Sequence, residues 1–158
     1  MKKFLMLACA MLVSAAMFAQ QGEKNVGLNI KYGLDDPKST GIGIKGQYGF
    51  TDKIRGEASF NYFLKKDYVT MFDINANLQY VFTFDKIGVY PFAGVTLQNM
   101  SVDVAGHSDS ESKFGANLGA GVEYPITEKI KVNLDFTYKL ASDNWDRSLI
   151  GIGVAYKF

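Results

Sequence analysis

A chain of 158 residues with 17 basic and 16 acidic side chains is one domain in size, and it lacks the basic excess that a nucleic-acid binder carries. A single cysteine, Cys9, cannot build a disulfide framework.

The first residues read MKKFLMLACAMLVSAAMFAQ: basic Lys2 and Lys3, an apolar run from Phe4 to Val13, then small residues up to Ala19. That is the form of a secretory signal peptide. The apolar run is shorter than the roughly 17–25 residues of a spanning helix. Cleavage after Ala19 divides the chain into a signal segment, 1–19, and a single β-barrel domain, 20–158. Lys2, Lys3 and Cys9 leave with the signal, so 15 basic residues face 16 acidic ones, a net charge of −1.

The mature chain resolves into eight runs of period two, the repeat of a strand. In the first, Val26, Leu28, Ile30, Tyr32 and Leu34 alternate with Gly27, Asn29, Lys31 and Gly33. The second opposes Ile42, Ile44, Tyr48 and Phe50 to Gly43, Lys45, Gln47 and Gly49. The third sets Ile54, Ala58, Phe60 and Tyr62 against Arg55, Glu57, Ser59 and Asn61. In the fourth, Phe72, Ile74, Ala76, Leu78, Tyr80 and Phe82 oppose Met71, Asp73, Asn75, Asn77 and Gln79.

The fifth run, 87–100, is the least regular, because Tyr90 and Phe92 fall on its polar face. Pro91 offers no N–H to a ladder, so a bulge or register change is expected there. Residues 101–112, rich in Ser, Asp and Gly, read as the one long loop. The sixth run opposes Phe114, Ala116, Leu118, Ala120, Val122 and Tyr124 to Gly115, Asn117, Gly119, Gly121 and Glu123. The seventh has Ile130, Val132, Leu134, Phe136, Tyr138 and Leu140 against Lys131, Asn133, Asp135, Thr137 and Lys139. The eighth alternates Ile150, Ile152, Val154, Tyr156 and Phe158 with Gly151, Gly153, Ala155 and Lys157.

The volumes of the two faces decide which one points out. Nearly every large apolar side chain lies on one face, and an eight-stranded interior is only just wide enough for side chains to fill. The other face is polar and diluted with Gly, Ala and Ser, as a narrow interior requires. The fold class is therefore all-β: an eight-stranded antiparallel up-and-down transmembrane β-barrel with its apolar face in lipid. Short turns near 51–53, 83–86 and 125–128 are expected on the periplasmic side, and connections near 35–39, 65–68, 101–112 and 141–146 outside. Aromatics then form two belts: Phe50, Tyr80, Phe82, Tyr124, Tyr156 and Phe158 below, Tyr32, Tyr62, Phe72 and Tyr138 above.

With this strand count, this asymmetry of connections and the final run Val154-Ala155-Tyr156-Lys157-Phe158, the chain resembles the small outer-membrane β-barrel proteins grouped with the OmpA and OmpX barrels, in the form common in Bacteroidetes. The resemblance implies an outer-membrane location. It also implies that Tyr156 and Phe158 belong to a C-terminal signal read by the barrel-assembly machinery during biogenesis. Family roles in membrane integrity, adhesion and host interaction attach to no identifiable residue here.

The interior face would carry Lys31, Lys45, Arg55, Lys131, Lys139 and Lys157 with Glu57, Asp73, Glu123 and Asp135. Charges in a narrow lumen must be paired and hydrogen-bonded or bathed in water, so a packed polar network is expected. A narrow water-filled conduit is the alternative, favoured by the interior glycines. His107, with Ser108, Asp109, Ser110 and Glu111 beside it, supplies the residue types of a lipid-acylating or deacylating enzyme. Consecutive positions in a loop do not form the geometry such chemistry needs. Nor do they have the spacing of a calcium loop. His107 and Trp145 are candidate surface contacts.

The reading is a structural or surface-interaction barrel, with a small diffusion channel as the alternative and a lipid-modifying enzyme as a distant third. No catalytic residue, metal site or cofactor is expected. The expected partners are outer-membrane lipid, lipopolysaccharide and the assembly machinery, with no nucleic acid, around a monomeric barrel.

Overall fold

The computed structural model describes residues 22–158 apart from 37 and 67, so the expected signal segment lies outside the described residues. Nine strand segments follow in order: β1 Lys24–Gly33, β2 Thr40–Gly49, β3 Ile54–Lys66, β4 Val69–Tyr80, β5 Phe82–Phe84, β6 Ile87–Val104, β7 His107–Pro125, β8 Ile130–Ala141 and β9 Arg147–Lys157. The sheet runs antiparallel from β4 through β3, β2, β1, β9, β8 and β7 to β6, and the β4–β6 pairing closes it. Because β5 pairs with β6 as a continuation of β4, the nine segments make eight barrel strands. Closure leaves no open edge around the wall, which a sheet must achieve to cross hydrocarbon.

The gap between β4 and β5 has a local cause. Gln79 pairs with Phe92 and Phe82 with Val89, so the register against β6 is the same on both sides. Between those pairs β6 carries Pro91, which has no N–H to give. The residue after β4, Val81, faces β3 and donates its N–H to the Lys53 carbonyl at 2.7 Å. The bulge or register change expected at Pro91 is therefore corrected: β6 keeps one register with β7 from Gly88 to Val104, and one register with β4 and β5 on either side of Pro91.

The long loop expected over 101–112 is also corrected. These residues continue β6 and β7 as a ladder, with Ser101 opposite Ser110, Val102 opposite Asp109, Asp103 opposite Ser108 and Val104 opposite His107. The hairpin closes at Ala105 and Gly106, whose φ values of 50° and 81° are those of a primed turn matched to strand twist. Composition misleads here because Ser, Asp and Gly disfavour strands individually, whereas a strong turn and an established register carry the pairing outward.

The interior is polar and the exterior apolar. Among the described residues the buried set holds five apolar side chains, Phe63, Tyr90, Phe92, Leu149 and Ala155, against nineteen polar or charged ones. Leu28, Ile30, Ile44, Leu118, Leu134 and Ile152 are exposed, the inverse of a water-soluble protein. Tyr90 and Phe92 keep the alternation of β6 and point inward, each 6% exposed or less. They face Gly121 and Gly119, where an added Cβ would lie 2.4 Å from the Tyr90 ring and 2.5 Å from the Phe92 ring.

The strands are staggered. Starting from Lys24, the paired positions run through Tyr48, Gly56, Leu78, Ala93, Leu118, Tyr138 and Ser148. Ser148 accepts a hydrogen bond from Leu34, not Lys24. One circuit thus climbs ten residues of β1, from 24 to 34, and the strands tilt accordingly. Of the outward aromatics, Phe50, Tyr80, Phe82, Tyr124, Tyr156 and Phe158 are exposed at the end where the termini lie. Tyr32, Tyr62 and Tyr138 are exposed towards the other end, and Phe72 is half-buried against the Phe60 ring at 5.8 Å.

Candidate functional site

The lumen is built from side chains of every barrel strand. Near the termini, Arg55 on β3 donates from both terminal nitrogens to the Glu123 carboxylate of β7, at 3.1 and 2.8 Å, and its Nε donates to Gln79 Oε1 at 2.7 Å. This fork against a carboxylate is the bidentate geometry that arginine favours. The same guanidinium lies 5.2 Å from the centre of the Tyr90 ring. Lys131 pairs with Glu23 and stands 3.6 Å from Glu123, while Lys157, more open to water, reaches Glu23 at 3.2 Å. Burial works to raise the Glu23 carboxyl, but hydrogen bonds and charge from Lys131, with help from Asn25 and Lys157, outweigh it and hold the group at about 2.

At mid-height Lys31 pairs with Asp135, which also accepts from Asn133 at 2.9 Å. Lys45 finds a neutral partner, donating to Asn133 Oδ1 at 2.6 Å, and Glu57 accepts from Gln47 at 2.7 Å. Higher still, Lys139 donates to Asp73 at 2.5 Å and to Asn75 at 2.9 Å, and Asp73 accepts from Asn61 and Asn75, each at 2.7 Å. Pairing the charges and filling their remaining hydrogen-bond positions is the condition under which charges survive burial.

The end of the lumen away from Phe158 is closed by residues the period-two reading did not assign. Phe63 and Leu149 are each 1% exposed. The Arg147 guanidinium lies 4.6 Å from the centre of the Phe63 ring and donates to Ser39 Oγ and Met71 Sδ. Between this stopper and the Tyr90 end lies a cavity of about 20 Å³, lined by Lys31, Glu57, Tyr90, Phe92, Lys139 and Leu149 among others. That is room for about one water. Arg147 and Leu149 continue the inward phase of Gly151 and Gly153 by two further positions, and that signal was available in the sequence. Glu23 sits one residue before β1 and carried no strand signal.

Towards that same end, away from Phe158, His107 opens β7 opposite Val104, so its placement in a flexible loop is corrected. Ser108 is adjacent in the same strand and points to the opposite face, which separates the candidate base from the candidate nucleophile. Trp145 is half-buried, with Lys113 5.9 Å from its ring centre. Lys113 itself bridges Asp143 at 2.6 Å and Glu111 at 2.7 Å. Hydrogen bonds to those two carboxylates, opposed slightly by desolvation, push the Lys113 amine up to about 12. These contacts tie the β8–β9 connection to the β6–β7 hairpin. At the opposite end Tyr156 pairs with Val26 and Ile130, and the Phe158 N–H donates to the Lys24 carbonyl at 3.1 Å.

A family model described as the outer membrane protein beta-barrel domain matches residues 5–158. A 22 kDa outer membrane protein of Rhizobium leguminosarum bv. viciae is 22% identical over 151 residues, covering 88% of this chain and 61% of that protein. The chain thus spans about three fifths of that relative's length. Among solved structures, the N-terminal β-barrel domain of Pseudomonas aeruginosa OprF superposes with a TM-score of 0.76 at 20% identity, covering 87% of this chain and all of that one. Yersinia pestis Ail in complex with the heparin analogue sucrose octasulfate gives 0.65 at 18%, over 88% and 100%. At these identities the structural likenesses show the fold.

Proposed function

Because this chain belongs to the outer membrane protein beta-barrel domain family and is an outer-membrane barrel, we propose that it works through its surface with its lumen closed, as a structural and surface-interaction protein. The observation that carries this reading is the filled lumen: the ion pairs Arg55–Glu123, Lys31–Asp135 and Lys139–Asp73 at successive heights, a stopper of Phe63, Leu149 and Arg147, and about one water's worth of space between. No reaction is assigned to it. The proposal includes contact with outer-membrane lipid and lipopolysaccharide, delivery by the barrel-assembly machinery through Tyr156 and Phe158, and a monomeric state. It also includes removal of residues 1–19 and membership of the Bacteroidetes form of the family.

The β6–β7 hairpin is the contact surface in this reading, and its chemistry limits the partner. Asp103, Asp109 and Glu111 are exposed near its tip, while Lys113 is already held by Glu111 and Asp143. That surface attracts a cationic partner, so the heparin-analogue binding of Ail does not carry over on charge. The test uses neutral phosphatidylcholine proteoliposomes carrying either the whole chain or a version with 101–112 replaced by a two-residue turn, applied to polylysine-coated and heparin-coated surfaces. Hairpin-dependent retention on polylysine that fades with salt is expected. Equal retention of both versions, or preference for heparin, would contradict the assignment.

A further inference from the structure

A primary amine, a carboxylate and two primary amides meet in the upper lumen. Lys139 Nζ lies 2.5 Å from Asp73 Oδ2 and donates to Asn75 Oδ1 at 2.9 Å. Asp73 Oδ1 accepts from Asn75 Nδ2 at 2.7 Å, so the carboxylate touches the amine with one oxygen and the amide nitrogen with the other. Asn75 Oδ1 also accepts from Asn117 Nδ2 at 3.2 Å. These contacts fix the orientation of the Asn75 amide. Its nitrogen faces acceptors, Asp73 and Ser59 Oγ at 3.2 Å, and its oxygen faces donors. Lys139 comes from β8, Asp73 and Asn75 from β4 and Asn117 from β7, and each is 5% exposed or less.

We propose that Lys139 and Asn75 join in an isopeptide bond, a single modification that the folded chain makes on itself with Asp73 as proton carrier. Passing one proton from Nζ to Asp73 Oδ2 turns two buried charges into a neutral amine and a neutral acid, which removes the cost of burying ions. A desolvated, neutral lysine is a nucleophile. Its lone pair attacks Asn75 Cγ, and with Nζ 2.9 Å from the oxygen bonded to that carbon the amine stands near attack distance. Negative charge gathers on Oδ1 as the tetrahedral carbon forms, and Asn117 already donates there, as an oxyanion donor must. Asp73 gives its proton to Nδ2, the nitrogen it contacts. The Cγ–Nδ2 bond breaks, ammonia leaves, and the surplus proton on Nζ returns to Asp73. The Nζ–Cγ amide is the one bond gained, and no co-reactant is consumed.

The mid-height residues supply a contrast. Lys45 donates to Asn133 Oδ1 at 2.6 Å, and Asn133 Nδ2 donates to Asp135 Oδ2 at 2.9 Å. There the second carboxylate oxygen pairs with Lys31, so the acid beside the amide serves a different amine and no bond is expected. At Lys139 the bond would tie β8 to β4 across the lumen, between residues 64 apart in sequence, and so restrict the unfolded chain. Freshly folded chain holds the Lys139–Asp73 ion pair as the reactant, and the bond accumulates afterwards. The inference draws on the filled lumen and is independent of the surface role.

The test is the intact mass of the chain kept in urea and of the same chain refolded and sampled over days. Folded wild type should become lighter by one ammonia, and digestion with tandem mass spectrometry should return one branched peptide joining Lys139 to Asn75. Lys139→Arg keeps a cation for Asp73 but no neutral amine, and should give the unboiled-gel shift of a folded barrel without the loss. Asn117→Ala should slow the loss by about tenfold or more, and Lys45→Arg should leave it unchanged. A folded wild type that keeps its full mass would overturn the proposal whatever the variants do. So would loss of one water, which makes Asp73 the partner, loss of ammonia that persists in Lys139→Arg, which marks a succinimide, or a branch at Lys45.

Discussion

Lys139 and Asp73 meet 2.5 Å apart inside the barrel, with side-chain exposures of 2% and 0%. One comes from β8 and the other from β4, so the contact spans the lumen. It is the most deeply buried of the charge pairs described above, and Asn61, Asn75 and Thr96 complete its hydrogen bonds.

Replacing Asp73 with Asn should therefore leave Lys139 buried without its counter-charge. The expected loss is about 3–5 kcal/mol of barrel stability, read as a lower urea midpoint in the gel-shift assay. Combining Asp73→Asn with Lys139→Met should recover much of it, because the desolvated charge is then gone. A single variant as stable as the wild type would show that water reaches the pair.

The fit of Tyr90 against Gly121 predicts a volume-specific defect. A Cβ at 121 would come within 2.4 Å of the Tyr90 ring, so Gly121→Ala should cost about 1–3 kcal/mol through overpacking. Gly121→Ala with Tyr90→Leu should be less destabilised than Gly121→Ala alone. Additive losses measured by urea unfolding would contradict the contact.

Glu23 gives the barrel a pH signature at the rim it shares with Lys131 and Lys157. Its carboxyl is held at about 2 against an ordinary 4.5, so its pairing with Lys131 contributes fully above about pH 4.5. That contribution falls as the pH drops from there towards 2. The group is partly open to water, so the effect is on the order of 1 kcal/mol or less. Subtracting the stability of Glu23→Gln from that of the wild type across this range should give a difference that shrinks on acidification. A flat difference would remove the pair from the account.

Deleting Phe158 tests the proposed assembly signal. Its N–H bonds Lys24 and its ring is exposed in the lower belt, so few packing contacts inside the barrel are lost. Membrane yield should fall and protease-sensitive chain should accumulate in the periplasm, while urea-refolded protein reaches the same folded band. Unchanged yield would argue against the signal.

The barrel was legible in the sequence because period-two alternation fixes which face each residue takes, and the volume of the apolar set decides which face is outside. The phase of β6 was harder to read, because Tyr90 and Phe92 are aromatic yet inward. Their fit depends on Gly119 and Gly121 of β7, a cross-strand relationship invisible along one strand. Ser101 to Val104 and His107 to Ser112 looked like a loop because single-residue preferences do not register the pairing that extends them. The lumenal charges could be placed on one face, but their partners could not. Lys45 ends on Asn133 and Lys131 on Glu23 because stagger sets which heights coincide. Arg147, stacked on Phe63, needed the contact itself to be recognised as part of the stopper.

Single-channel recording of the refolded chain in a planar bilayer tests the closed lumen most directly. With Arg55 clasping Glu123 beside Tyr90 at one end and Arg147 stacked on Phe63 at the other, the wild type should show no steady openings. Removing the stopper with Phe63→Ala and Leu149→Ala should leave the Tyr90 end shut and the record still silent. Steady, resolvable openings in the wild type would contradict the account and make the barrel a channel.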